Sequence, residues 1–209
     1  MIIIGDVISV YKNAGMITTK DGNIRANSPN NVLMAFKSDD QLSIYLKHNE
    51  FSQEHELIKD IKIGNTHFKK GELPSNFDSV VKVYFESALG VAFSNQAMID
   101  GMETFFSERT YNPVVEYMEE AAKEWDGKQR INRMFQVYLG ADDVELVSKI
   151  AEMWLVGAVA KVYNPYAKFD YVLDLVGGQG VGKTSLLQKL GGDWYTDAVT
   201  DFENKDNYD

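Results

Sequence analysis

Phe169-Asp170-Tyr171-Val172-Leu173-Asp174-Leu175-Val176, Gly177-Gly178-Gln179-Gly180-Val181-Gly182-Lys183-Thr184 and Ser185-Leu186-Leu187-Gln188-Lys189-Leu190 form one continuous stretch, and its reading decides the fold. The first run is rich in β-branched and aromatic residues. The last has helical spacing and is closed by Gly191-Gly192. The predicted order is strand, loop, helix. The octet Gly177 to Thr184 fits the pattern G-x-x-x-x-G-K-[ST], a P-loop.

That pattern suits a nucleotide phosphate, a hydrated anion whose water must be replaced by fixed donors. Gly177, Gly178, Gly180 and Gly182 allow successive backbone N–H groups, those of Gln179 and Val181 included, to turn toward one anion. A helix starting near Gly182 adds its positive end. Lys183 is the candidate catalytic residue, reaching the β and γ phosphates of ATP as a point charge. Thr184 is the candidate ligand of the nucleotide's Mg2+, with Ser185 beside it. The competing reading is a glycine-rich turn followed by a surface lysine.

Hydrolysis asks for more. A Walker B acid on a neighbouring strand and often an arginine are needed. After Lys183 the acids are Asp193, Asp197, Asp201, Glu203, Asp206 and Asp209, with no apolar strand ending in paired acids. The four arginines, Arg25, Arg109, Arg130 and Arg133, all precede the loop. A covered α/β sheet needs further strands. The expectation is therefore a fragment, cut just after the Walker A helix and unable to hydrolyse ATP alone. The late acids are read as a solvated end rather than a metal cluster.

Upstream of the loop, four segments are expected. Residues 1–27 carry Ile2-Ile3-Ile4, Val7-Ile8-Ser9-Val10 and Ile17-Thr18-Thr19 with an Asp21-Gly22 turn signal, which suggests a small hairpin. Residues 28–75 form a mixed α+β segment. Ser28-Pro29 opens a helix over Asn30 to Lys37, and short strands surround turns at Gly64-Asn65 and Lys70-Gly71. Residues 76–165 read as helical. One helix ends at Gly90, one is capped by Ser94, one opens at Asn112-Pro113, and a short one covers Ile131 to Val137. The longest runs from Asp143 to Val162, its apolar residues spaced for one buried face. Residues 166–209 begin the P-loop core. Overall the fold class is α/β: a mostly helical N-terminal region with a small mixed segment, then strand, P-loop and helix.

Composition narrows the classes. With 31 acidic against 21 basic residues the net charge is −10, which argues against a dedicated nucleic-acid module in this part of the molecule. There is no cysteine, which fits a reducing cytoplasm. No apolar run suits a membrane. His48, His55 and His67 lack metal-ligand spacing and are assigned to the surface. Arg130 beside Trp125-Asp126-Gly127 is read as pairing with Asp126 to fix a turn, with a nucleotide or DNA contact as the alternative.

Tyr111-Asn112-Pro113-Val114-Val115-Glu116-Tyr117-Met118, followed by Trp125-Asp126-Gly127-Lys128-Gln129-Arg130-Ile131, resembles the "hPv-x-YL … WDG-x-x-RI" signature of the virulence-associated protein E family, P-loop proteins of phages and mobile genetic islands. The similarity continues through Asn164-Pro165, Lys168-Phe169-Asp170, the octet, Trp194-Tyr195-Thr196-Asp197 and Lys205-Asp206, and upstream through Asn31 to Phe51. It covers the chain from about Ser28 onward and does not reach residues 1–27. The resemblance implies a helicase-like ATPase of the superfamily 3 type that replicates phage or mobile-element DNA, often with a primase. It also implies a homo-oligomeric ring with the arginine finger supplied in trans. Residue by residue it supports only the nucleotide role of Gly177 to Thr184. A nucleotide-gated module that docks a primase or host factor stays open as the other class, and a small-molecule kinase fits poorly.

Overall fold

The computed structural model describes residues 15–197. The chain divides into two compact units, one ending at Pro113 and one starting at Val114. Ile2 to Val10, and Asp201, Glu203, Asp206 and Asp209, lie outside the described residues. The fold is mixed α/β, with helices predominating over a small mixed sheet.

In the first unit, local signals act where the sequence puts them. Asp21-Gly22 turns the chain, with a Thr18–Ile24 antiparallel bridge behind it. Helix α1 (Pro29–Ser38) has Ser28 at its N-cap and Pro29 in its first turn. Asp39 then caps α2 (Asp40–Tyr45) by accepting from the amides of Gln41 and Leu42, and its second oxygen accepts from the Tyr84 hydroxyl at 2.7 Å. Strands β1 (Leu46–Asn49) and β2 (Glu54–Leu57) pair antiparallel with Leu46 opposite Leu57 and His48 opposite His55. Strands β3 (Ile61–Ile63) and β4 (Thr66–Phe68) form a separate hairpin across Gly64-Asn65, where Gly64 takes a φ of 56°. The short β5 (Gly71–Glu72) adds to β2.

Helix α3 (Phe77–Leu89) stops at Gly90 in the left-handed region, and α4 (Asn95–Ser107) starts at Ser94, whose side chain accepts from the Ala97 amide. Strand β6 (Thr110–Tyr111) then pairs parallel to β1, giving the order β5-β2-β1-β6. The core lies between this sheet and the helices. Phe36 is fully buried, 5.1 Å ring to ring from both Phe85 and Phe105. Helices α1 and α4 pack directly. At Gly101 an added Cβ would sit 2.6 Å from Cβ of Val32 and 2.7 Å from the Pro29 carbonyl oxygen, so only glycine admits this approach.

One buried polar side chain ties the early segment down. Asn31 accepts from the Ile17 amide at 2.7 Å and donates to the carbonyls of Ile17 and Arg25 at 2.8 and 3.1 Å. Its hydrogen-bonding groups are all occupied by backbone, which is how a buried amide avoids a desolvation penalty.

The second unit is built from α5 (Pro113–Lys123), a 3-10 turn at Ile131–Arg133, α6 (Met134–Leu139), α7 (Glu145–Tyr163) and α8 (Lys183–Gly191), with a last 3-10 turn at Gly192–Trp194. Met134, Phe135 and Ala151 are its buried centre, surrounded by Val147, Ile150, Leu173, Leu175 and Leu186. Two expectations meet differences here. Along α7 only Ala151 and Gly157 are buried, while Leu146 and Val156 are exposed. The helix is apolar around most of its circumference, and the described residues cover one narrow strip of it.

The run Phe169 to Val176, expected as a strand, carries no ladder among the described residues. Leu173 and Leu175, two residues apart, pack on the helical centre, whereas Val172 and Val176 are 93% and 89% exposed. The alternation has the period of a strand, but a strand is defined by a neighbour's N–H and C=O groups. No described helix is long and apolar enough to cross a membrane.

Candidate phosphate-binding site

Leu173 and Leu175 anchor the approach to the loop, and Phe169 anchors its start by lying flush against Gly157 of α7. The loop Gly177 to Gly182 then turns into α8. Gly180 and Gly182 adopt φ of 83° and 92°, conformations that a side chain would strain. Gly177 and Gly178 differ. An added Cβ there would meet only Val181, at 3.8 and 4.0 Å, so what glycine preserves at these positions is open approach from outside.

Helix α8 begins at Lys183 with Gly182 as its N-cap and has no acidic residue in its first turn, so its positive end is not neutralised locally. The first closing bond is Leu186 N–H to Gly182 C=O at 2.9 Å. Among the described residues, no amide from Gly177 to Gly182 donates to a protein acceptor. Lys183 folds back over the loop. Its Nζ donates to the carbonyls of Gly177 and Gly178 at 2.7 and 2.9 Å. Thr184 and Ser185 stand exposed in the first turn, and Gln179 and Val181 are exposed on the loop. Nine consecutive residues, Gly177 to Ser185, thus place open amides, one ammonium and two hydroxyls around one helix end.

The Trp125-Asp126-Gly127 element forms a closed turn of its own. Asp126 accepts two hydrogen bonds from the Arg130 guanidinium at 2.7 and 2.6 Å and one from the Lys128 amide at 3.1 Å. These bonds, Arg130 first, hold the Asp126 carboxyl down to about 2. The Trp125 indole N–H donates to the Lys128 carbonyl at 3.2 Å, and Gly127 takes a φ of 77°. The expected Arg130–Asp126 pair is therefore present. The Trp125 ring is 64% exposed.

The surface assignment of His48 and His55 is corrected by the sheet. Both are half-buried, and their Nδ1 atoms lie 3.2 Å apart across β1 and β2. The His55 ring stacks on Phe106 at 3.8 Å, with Nε2 3.8 Å from the Glu103 carboxylate. Burial lowers the His55 pKa; Glu103 opposes that shift and His48 adds to it. Two residues separated by seven positions carry no motif, and cross-strand register alone brings them together. His67 is exposed, as assigned.

Residues 118–209 match the model of the virulence-associated protein E-like domain, a span that contains the closed Trp125 turn, α6, α7, the glycine loop and α8. No curated protein matches the chain. Over residues 118–209, less than half of the chain, the protein is thus similar to the virulence-associated protein E-like domain, whose family is associated with phages and mobile genetic elements.

Proposed function

We propose that Gly177 to Ser185 bind the phosphates of ATP together with Mg2+, as the nucleotide-binding part of a helicase-like ATPase that replicates phage or mobile-element DNA. The observation that carries this reading is the Lys183 ammonium resting on the Gly177 and Gly178 carbonyls, at the start of a helix whose preceding loop amides are unused. Carbonyl oxygens are a weak partner for a full positive charge, and a phosphate is a stronger one.

The residues fit the group. The loop amides and α8 would hold the phosphate oxygens, Lys183 would supply the positive charge, and the Thr184 hydroxyl would ligate the magnesium. When bound, Mg2+ neutralises phosphate charge and so assists transfer to a nucleophile. Binding, not turnover, is the activity assigned to these residues, because no described strand beside Phe169 to Val176 offers a second acid. Partner DNA, a primase and a homo-oligomeric ring belong to this reading, as does the cytoplasm that a cysteine-free chain suits.

Titration calorimetry of the chain with ATP and Mg2+ tests it. Lys183→Ala should weaken binding by about 10- to 100-fold, the value of one charge-assisted contact. Equal affinity in the variant would remove the loop from the function.

A second reading is a nucleotide-gated interaction module. The apolar residues that α7 exposes, Leu146 and Val156 among them, favour it. Nucleotide-dependent capture of a purified primase without DNA-stimulated turnover would select this reading over the first.

A further inference from the structure

The segment from Lys59 to Lys70 carries four lysines and one aspartate, a local charge of +3 in a chain of −10. It spans the β3–β4 hairpin of the first unit, outside residues 118–209. The inner face of this hairpin is anchored. Ile61, Ile63 and Phe68 are buried, and the Phe68 ring meets Phe77 of α3 at 5.1 Å. The Gln41 side chain of α2 accepts from the Lys62 amide at 3.3 Å. Strand alternation then leaves Lys62 and His67, paired across the hairpin, exposed on the outer face.

The cations have no counter-charge of their own. Lys59, Lys62, Lys69 and Lys70 are all exposed, and among the described residues no carboxylate forms an ion pair with any of them. Asp60 accepts from the Lys70 amide at 2.8 Å, which commits one of its oxygens to backbone. Asp40 of α2 and Glu72 of β5, exposed acids on the flanking elements, also leave these lysines unpaired. Lys59 Nζ lies over the Tyr45 ring, 5.2 Å from its centre.

Anchored, unpaired cations complement a polyanion. In about 0.15 M salt, charges more than about 8 Å apart are largely screened, so the local patch and not the net charge decides what docks on it. The hairpin's own aromatic residue, Phe68, is buried, so the surface lacks the stacking platform that holds single strands by their bases. A duplex backbone asks only for cations and amides. We propose that the β3–β4 hairpin is a contact surface for the phosphate backbone of duplex DNA, engaged without regard to sequence. This places a DNA contact in the first unit, and it stands independently of the ATP reading of the glycine loop.

The test is fluorescence anisotropy of a labelled duplex of about 20 base pairs, titrated with the full chain from about 50 to 200 mM salt. The logarithm of the binding constant should fall against the logarithm of salt with a slope of about −3, the value for three to four phosphates neutralised. Lys59→Gln, Lys62→Gln, Lys69→Gln and Lys70→Gln combined should weaken binding at the lowest salt by about tenfold or more and flatten the slope toward zero. The milder pair Lys62→Gln and Lys69→Gln should remove about half of the slope. A control with Lys123, Lys149, Lys161 and Lys168 changed to Gln alters the net charge equally and should bind as the wild type does. No binding by the wild type at the lowest salt, equal binding by the hairpin variant, or an equal loss in the control would each overturn the proposal. A single strand bound more tightly than the duplex would overturn the choice of partner, and a preference above about 100-fold between unrelated duplexes would overturn sequence indifference. The readout contains no nucleotide, so failure of the ATP reading would leave it unchanged.

Discussion

A Cβ on Gly157 would stand 2.2 Å from Cε2 of Phe169, so helix α7 and the run leading to the glycine loop meet with no room for a methyl group. Two effects compete in Gly157→Ala. Alanine gains about 1 kcal/mol of helix propensity, whereas overpacking costs about 1–3 kcal/mol. We expect the clash to win, and urea unfolding should show a net loss. In a Phe169→Ala background the obstacle is gone, and the same change should stabilise. The same sign in both backgrounds would mean that the ring is not what excludes the side chain.

Asn31 is the only tether described between α1 and the backbone of both Ile17 and Arg25. Asn31→Ala removes the partners of the Ile17 amide and the Arg25 carbonyl, while the Ile17 carbonyl keeps the Arg25 amide at 3.1 Å, so the loss is about 1–3 kcal/mol for each group that water cannot reach. Asn31→Asp keeps the acceptor for Ile17 N–H but turns a carboxylate toward two carbonyl oxygens. It should be at least as destabilising at pH 7 and milder in acid. Denaturant midpoints at the two pH values check both statements.

The Asp126 carboxyl sits at about 2 in the folded chain, below the ordinary aspartate value of about 3.9. A depressed acid stabilises above its unfolded pKa, and that contribution fades as pH falls toward its folded pKa. The closed turn should therefore hold through about pH 4 and open between there and pH 2. Trp125 fluorescence, in a chain with Trp154→Phe and Trp194→Phe, reports it directly. Asp126→Asn should open the turn at neutral pH. An unchanged Trp125 signal in that variant would show that backbone alone shapes the loop.

His55 gives the same pH sign in the first unit, but at higher pH. Its folded pKa lies below the unfolded value of about 6.5, so the unfolded chain takes up the proton first as pH falls. Stability should decrease on going from about pH 7.5 through 6.5 and below. Glu103, Glu54, His48 and Asp78 surround the ring electrostatically, and burial raises the Asp78 carboxyl. His55→Phe, which keeps a ring against Phe106, should flatten this slope. A slope that survives the substitution would assign it to another group.

Much of the helical frame was legible because caps and turns act over a few residues. Ser28-Pro29, Gly90, Ser94, Asn112-Pro113 and Gly64-Asn65 each carry their conformational preference in their own side chain or its absence. The Arg130–Asp126 pair was legible for the same reason, being four residues apart. The octet Gly177 to Thr184 states in its composition a loop that enters a helix at a lysine. Apolar periodicity was less informative. It marked Ile131 and Val137 of the short helix and Val159 of the long one for burial, and all three are exposed, because a period says that a face exists and not that anything covers it.

What the amino-acid order determined by itself, then, is where most of the helices start and stop, the hairpin turn at Gly64-Asn65, and the glycine-lysine loop on which the proposed function rests. Tertiary structure alone decided that β6 pairs parallel to β1, that His48 meets His55, that Phe169 lies on Gly157, and that Phe135 and Ile150 wall a cavity beside Lys183. The physical reason is range. Capping and turn preferences are set by bonds within one or two turns of chain, whereas register, close approach and cavities depend on which distant surfaces exclude water together.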